Sequence, residues 1–222
     1  ARIQYNYKGK YMLTGAIRAD GASRFGKQNR WGWFPSVSAG WRLTEEQFMK
    51  SLTFIDDLKL RASYGLTGNN NVDYYDTLGA YSVTGIYAGS GATLASTLPN
   101  LGLTWEKTKQ FDIGLDMAFF NNRLRVAADY YSKKSEDLLF DVSLPDTSGY
   151  GSAMQNVGSI RFYGLEFEIS SVNVSTKNFS WTTDFTYSFN ANKVLSLPDE
   201  YYYKDIDGKD AWRIGGYTMS ES

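Results

Sequence analysis

The chain has 222 residues, a net charge of −1, 16% aromatic side chains and neither cysteine nor histidine. So neutral a balance gives no electrostatic reason to bind nucleic acid. Without Cys or His, disulfide frameworks, thiolate chemistry, the usual zinc sites and Ser-His or Cys-His catalysis are excluded. No run of about 18 apolar residues occurs, which rules out a transmembrane helix but not a membrane barrel, whose alternating strands leave mean hydropathy low.

In chain order, residues 2–20 read as a hairpin that turns at Lys8, Gly9 and Lys10. A polar stretch over 21–30 precedes a strand in which Pro35, Val37, Ala39 and Trp41 alternate with Ser36, Ser38, Gly40 and Arg42. A moderate connection follows, with a helical turn expected to start on Thr44 as N-cap. In residues 58–68, Leu58, Leu60, Ala62, Tyr64 and Leu66 alternate with Lys59, Arg61, Ser63, Gly65 and Thr67. A Gly-, Asn-, Ser- and Tyr-rich segment then runs to about residue 102, far beyond an ordinary connection.

The next strand, expected over 103–119, sets Phe111, Ile113, Leu115 and Met117 against Asp112 and Asp116. Asn121 and Asn122 turn the chain into a strand carrying Arg125 and Asp129 on one parity. After a polar segment over about 135–155, Leu165, Phe167 and Ile169 oppose Glu166 and Glu168; a short turn leads to a strand carrying Asp184. The remainder, from about Lys193, is polar and aromatic. No signal peptide opens the sequence and nothing terminates it at Ser222, so a mature segment or a fragment is expected.

Period-2 alternation gives each strand one apolar and one polar face without saying which face is wet. Two regularities decide. Connections alternate between short and long, as in transmembrane barrels with short turns on one rim and long loops on the other. Several strands also exceed the 5 to 6 residues typical of globular sheets and reach the roughly 9 to 11 needed to cross a bilayer. The charges Lys59, Arg61, Asp112, Asp116, Arg125, Asp129, Glu166, Glu168 and Asp184 share the polar parity and are expected to face a wet lumen. Leu58, Leu60, Tyr64, Leu66, Phe111, Ile113, Leu115, Met117, Leu165, Phe167 and Ile169 are expected to face lipid.

No catalytic set emerges. Asp112 and Asp116 lie about 13 Å apart along one strand, too far for a glycosidase pair at about 5 to 9.5 Å, and are expected to pair with Arg125 and its neighbours, with a role in substrate passage as the alternative. Asp205 to Asp210 imitates a calcium loop, but its glycine is misplaced and no closing Glu follows, so a solvated acidic loop is the reading and no metal or cofactor is assigned. Asn173 and Asn178 match the glycosylation pattern, a three-residue signal that carries little weight by itself. Tyr74, Tyr75, Tyr81 and Tyr87, with Trp31 and Trp33, either contact substrate or partner, or pack the loops and anchor them at the membrane interface.

Residues 17–50, 54–70, 103–139 and 156–169 closely resemble the C-terminal barrel half of SusC/RagA-type TonB-dependent transporters of Bacteroidetes outer membranes, in that family's order. The resemblance covers nearly all of residues 1–192 and weakens beyond. It implies an all-β, antiparallel transmembrane barrel of roughly 22 strands, of which this chain supplies about eight. Residues 1–222 are then a partial barrel domain, with the plug and the terminal strands outside it. The resemblance further implies a non-enzymatic, multi-pass protein of a Gram-negative outer membrane. Its expected role is TonB-dependent import of a glycan or oligopeptide together with a SusD-like surface lipoprotein and the TonB complex. The alternatives are an adhesion or structural barrel that only displays loops, and a soluble carbohydrate-binding sandwich, which would leave large apolar patches exposed.

Overall fold

The computed structural model describes residues 1–87, 89–197, 202–204, 210–214 and 217–220. Its strands are β1 (Arg2–Tyr7), β2 (Tyr11–Gly21), β3 (Trp31–Arg42), β4 (Ile55–Asn69), β5 (Ala80–Tyr87), β6 (Ser90–Thr97), β7 (Glu106–Phe119), β8 (Leu124–Glu136), β9 (Leu139–Ser143), β10 (Ser152–Asn156), β11 (Ser159–Ser175), β12 (Ser180–Ser196), β13 (Tyr202–Lys204), β14 (Asp210–Ile214) and β15 (Tyr217–Ser220).

Local turn chemistry sets the meander. Lys8 and Gly9 both take positive φ, 53° and 68°, and the Gly9 amide donates to Asn6 Oδ1 at 2.8 Å, so β1 folds back on β2. Between β7 and β8, Phe120, Asn121 and Asn122 lie in the left-handed region at 57°, 57° and 59°, where asparagine is tolerated better than most side chains. The β11–β12 turn closes through the Thr176 amide donating to the Phe179 carbonyl at 2.8 Å. The β3–β4 connection holds two 3-10 turns, Leu43–Glu45 and Gln47–Met49. The expected Thr44 N-cap does not form, because the first 3-10 turn starts one residue earlier, with Arg42 at its N-cap and Thr44 inside it, where the Thr44 hydroxyl donates to Asp57 Oδ1 at 3.2 Å.

These turns build one antiparallel sheet in the order β1-β2-β3-β4-β7-β8-β11-β12. From β2 to β12 its strands have 11 to 17 residues, enough to cross a bilayer when tilted. The long connections carry hairpins of their own, β5–β6 between β4 and β7 and β9–β10 between β8 and β11. Strand β7 begins at Glu106, not at the expected residue 103, because Leu103 and Trp105 are drawn into a cluster beneath the loops.

Register carries the alternation coherently across the whole sheet. One row pairs Tyr5, Leu13, Ala39, Ala62, Ile113, Tyr130, Leu165 and Phe189 across all eight strands. The next row pairs Gln4, Thr14, Ser38, Ser63, Asp112, Tyr131, Gly164 and Asn190. A one-residue slip of any strand would carry its apolar set to the polar face, so pattern and register specify each other.

The apolar face has no second layer among the described residues. Ile3, Leu13, Val37, Tyr64, Phe111, Leu165, Phe167 and Phe185 are all exposed. The buried cluster lies elsewhere, at the long-loop rim, where Ala22, Phe25, Phe34, Val72, Leu103 and Trp105 pack together and Leu66, Leu139 and Met154 close on them. A soluble sandwich would bury the exposed rows against another sheet, and none covers them among the described residues. Such a face needs an apolar solvent.

Candidate functional site

Two surfaces carry chemistry: the polar face of the sheet and the mouth formed by its long loops. On the polar face, Arg61 of β4 is the hub. Its Nε contacts Asp116 Oδ2 of β7 at 3.1 Å and its Nη2 reaches Asp129 Oδ2 of β8 at 2.7 Å. Reaching β8 from β4 means passing over β7, about 10 Å in two strand spacings. The residue of β7 that Arg61 crosses is Gly114, in register with both Arg61 and Asp129. A β-carbon at Gly114 would lie 2.3 Å from Asp129 Oδ1 and 2.7 Å from Arg61 Cζ. Glycine is therefore required there by the ion pair, not by the backbone.

Asp129 also stands directly opposite Glu166 of β11, a like-charge cross-strand pair that Arg61 offsets. The expected partner Arg125 is not what binds Asp116. Arg125 lies opposite Ala118 and Ser170, one step nearer the turn, and lines a second hollow with Asp57, Asp116 and Glu168. Asp112 accepts from Ser63 Oγ at 3.0 Å and Gln110 Nε2 at 2.9 Å, while Asp184 accepts from Ser170 Oγ at 2.6 Å. Lys59, Arg61, Ser63 and Asp112 border a hollow of about 250 Å³ floored by Ser38, Gly40 and Gly114.

Of the residues expected to meet lipid, Leu60, Tyr64, Phe111, Ile113, Leu165 and Phe167 are exposed. Leu58, Leu115, Met117 and Ile169 share their parity and are half-buried by neighbours, while Leu66 packs partly against the mouth cluster. At the short-turn rim this face ends in aromatic stacks, Tyr7 on Tyr11 on Trp41 and Phe54 on Phe119, with ring centroids about 6.5 Å apart. Amphipathic rings at that level suit a membrane–water interface. Glu46 ties the β3–β4 connection to them, accepting from Tyr11 Oη at 2.8 Å and Trp41 Nε1 at 3.0 Å and pairing with Lys10 Nζ at 2.6 Å. The bonds from Lys10 and then Tyr11 hold the Glu46 carboxyl below its usual range, and Glu46 in turn raises the Lys10 ammonium.

At the mouth, Tyr74, Tyr75 and Tyr81 are exposed, and the side chain of Tyr87 lies outside the described residues. Trp31 and Trp33 are also exposed, but they pair with Gly21 and Ala19 on the apolar parity, which places them on the outer face beside the mouth. Most of the stretch Asp205 to Asp210 lies outside the described residues. The loops are stitched to one another. Asn29 Nδ2 donates to the Leu103 carbonyl at 3.2 Å, Asn100 Nδ2 to Met154 at 2.9 Å, and Asn156 Oδ1 accepts from the Thr104 amide at 2.7 Å. Sequence reasoning missed Phe25, fully buried beneath these loops, and Asn156, which bridges two of them. An aromatic inside an otherwise polar, glycine-flanked loop was the available signal for Phe25.

An eight-stranded meander with one bare apolar face, one charged face, an aromatic rim and long loops on the opposite rim is the wall of a membrane-spanning β-barrel. The family model described as TonB dependent receptor-like, beta-barrel matches residues 1–221, and the chain belongs to that family, whose members are outer-membrane proteins of Gram-negative bacteria. It is 41% identical over its whole length to TonB-dependent receptor P39 of Formosa agariphila. It is 38% identical over 219 residues, 94% of the chain, to TonB-dependent receptor SusC of Bacteroides thetaiotaomicron. The chain spans about a fifth of the length of these relatives, 20% and 22%. Among solved structures, the RagAB peptide importer in its open-open state superimposes with a TM-score of 0.83 at 30% identity, over 99% of this chain and 24% of that one.

Proposed function

We propose that the chain forms part of the barrel of a non-enzymatic TonB-dependent importer that carries a large nutrient, a glycan or an oligopeptide, across the outer membrane. A plug domain elsewhere in the protein and a SusD-like surface lipoprotein at the mouth complete the machine. The observation that carries this reading is the sorting of the molecule by rim. Among the described residues, the short turns that join strands of the eight-stranded sheet lie at one end, while the other end gathers long, mutually bonded loops above the charged face. Support also comes from likeness over nearly the full chain to a structure named as a peptide importer.

The test is uptake. A strain lacking the gene is expected to lose growth on one class of polymer, and the full-length gene to restore it only when TonB is active. Normal growth on every glycan and oligopeptide tried would favour the adhesion reading instead.

A further inference from the structure

The loop over residues 70–79 is short of regular structure, yet it is not loose. Arg24, from the β2–β3 loop, enters it from the side. Its Nη1 donates to the Val72 carbonyl at 2.9 Å and to the Asn70 carbonyl at 3.4 Å. Its guanidinium lies 4.5 Å from the centroid of the Tyr74 ring. The Arg24 carbonyl accepts from Thr77 Oγ1 at 2.8 Å, and Thr77 and Val72 are both buried. The loop then closes on itself, with the Leu78 and Gly79 amides donating to the Tyr75 carbonyl at 3.0 and 2.8 Å. Beneath it, Phe25 is 1% exposed and anchors Arg24 from the next position in the chain.

One arginine thus holds two carbonyls that have no strand partners, fixes the loop's path and covers one face of a tyrosine ring. Tyr74 remains 63% exposed, so most of its surface is open to solvent. A ring held on one side and open on the other is a stacking platform whose ordering cost is already met before a ligand arrives.

We infer that Arg24 is the positioning residue of a stacking site on the free face of Tyr74, which takes a CH-rich ring face that carries no positive charge. The guanidinium under the ring draws on its quadrupole and disfavours a second cation above it. A pyranose and a prolyl ring share the required chemistry. This inference rests on the reading of the mouth as the cargo-contact surface.

The experiment uses the full-length receptor and has two arms. In the first, hydrogen exchange without ligand compares the wild type with Arg24→Met and Arg24→Lys. Exchange at Val72, Leu78 and Gly79 is expected to rise at least about tenfold in Arg24→Met and less in Arg24→Lys, which keeps the charge but not the planar fork, with β4 and β7 unchanged. Unchanged protection in Arg24→Met would overturn the positioning role. In the second, binding of a neutral oligosaccharide and of a neutral proline-containing oligopeptide is measured separately. Tyr74→Ala is expected to weaken one of them about tenfold, Tyr74→Phe to leave it unchanged, and Arg24→Met to weaken it with partial recovery in Arg24→Lys. The responding probe identifies the source of the ring. If Tyr74→Ala binds both probes as the wild type does, the stacking site is refuted, whatever the exchange arm shows.

Discussion

Replacing Gly114 by alanine adds one methyl group to β7 at a position whose φ is ordinary, so the substitution costs nothing in the backbone. Its whole effect comes from the space above it. The new carbon would sit 2.3 Å from Asp129 Oδ1 and 2.7 Å from Arg61 Cζ, and neither distance is tolerable. The guanidinium must lift off β7, and the bond from Nη2 to Asp129 breaks first because it crosses the methyl. Asp129 is then left opposite Glu166 with no cation between them. A charge-assisted hydrogen bond in a buried setting contributes about 1.5 to 3 kcal/mol, but these side chains are 28% to 39% exposed, so solvent screening reduces the expected loss to about 1 to 2 kcal/mol. The assay is urea unfolding of the full-length receptor in detergent, run as a cycle with Arg61→Met. If the methyl acts by displacing Arg61, Gly114→Ala costs much less when Arg61 is already methionine. Additivity of the two changes within about 0.5 kcal/mol, or a neutral Gly114→Ala, would refute the reasoning.

Three further outcomes follow from the same geometry. Glu46 has a folded-state pKa below its ordinary 4.5, so its hold on the β3–β4 connection is fully present above that value and is lost as pH falls through the lower folded one. Protection against hydrogen exchange over residues 43–54, measured relative to the intrinsic rate at each pH, is therefore expected to fall below about pH 4.5 in the wild type and to lose that dependence in Glu46→Gln. Lys8 occupies a left-handed conformation at φ 53°, so Lys8→Gly is expected to stabilise the barrel by about 1 kcal/mol, read as a higher urea midpoint. Phe25→Ala empties the centre of the mouth cluster and is expected to raise exchange in residues 70–79 and 100–105 together, while β7 and β8 keep their protection.

The membrane-crossing strands were legible because lipid and water impose a strict period of two, and charges such as Asp112 and Glu166 mark the polar parity without ambiguity. The β5–β6 hairpin was not legible. Tyr81 and Val83 alternate over only a few residues, and the flanking glycines, serines and asparagines read as loop. The network on Arg61 escaped for another reason: its partners lie at residues 116 and 129, and only register brings three strands together over a missing side chain at Gly114. Arg125 is nearer to Asp116 in sequence, but register, not sequence distance, decides which charges meet. Arg24 was hidden likewise, since its partners at Asn70 and Val72 are backbone carbonyls, which carry no sequence signal at all.

The central claim is that the apolar row is the outside of the wall and the polar row the inside. This chain contributes no cysteine, so Ile113→Cys and Ser63→Cys, each made as the single cysteine of a full-length receptor whose other cysteines, where present, are replaced, report on the two rows separately. With nitroxide labels at these positions and the receptor in lipid vesicles, accessibility to oxygen and to a water-soluble nickel chelate is the measurement. A label at Ile113 is expected to collide with oxygen and be shielded from the chelate, and a label at Ser63 to show the reverse preference. Chelate accessibility at Ile113 equal to that at Ser63 would contradict the account.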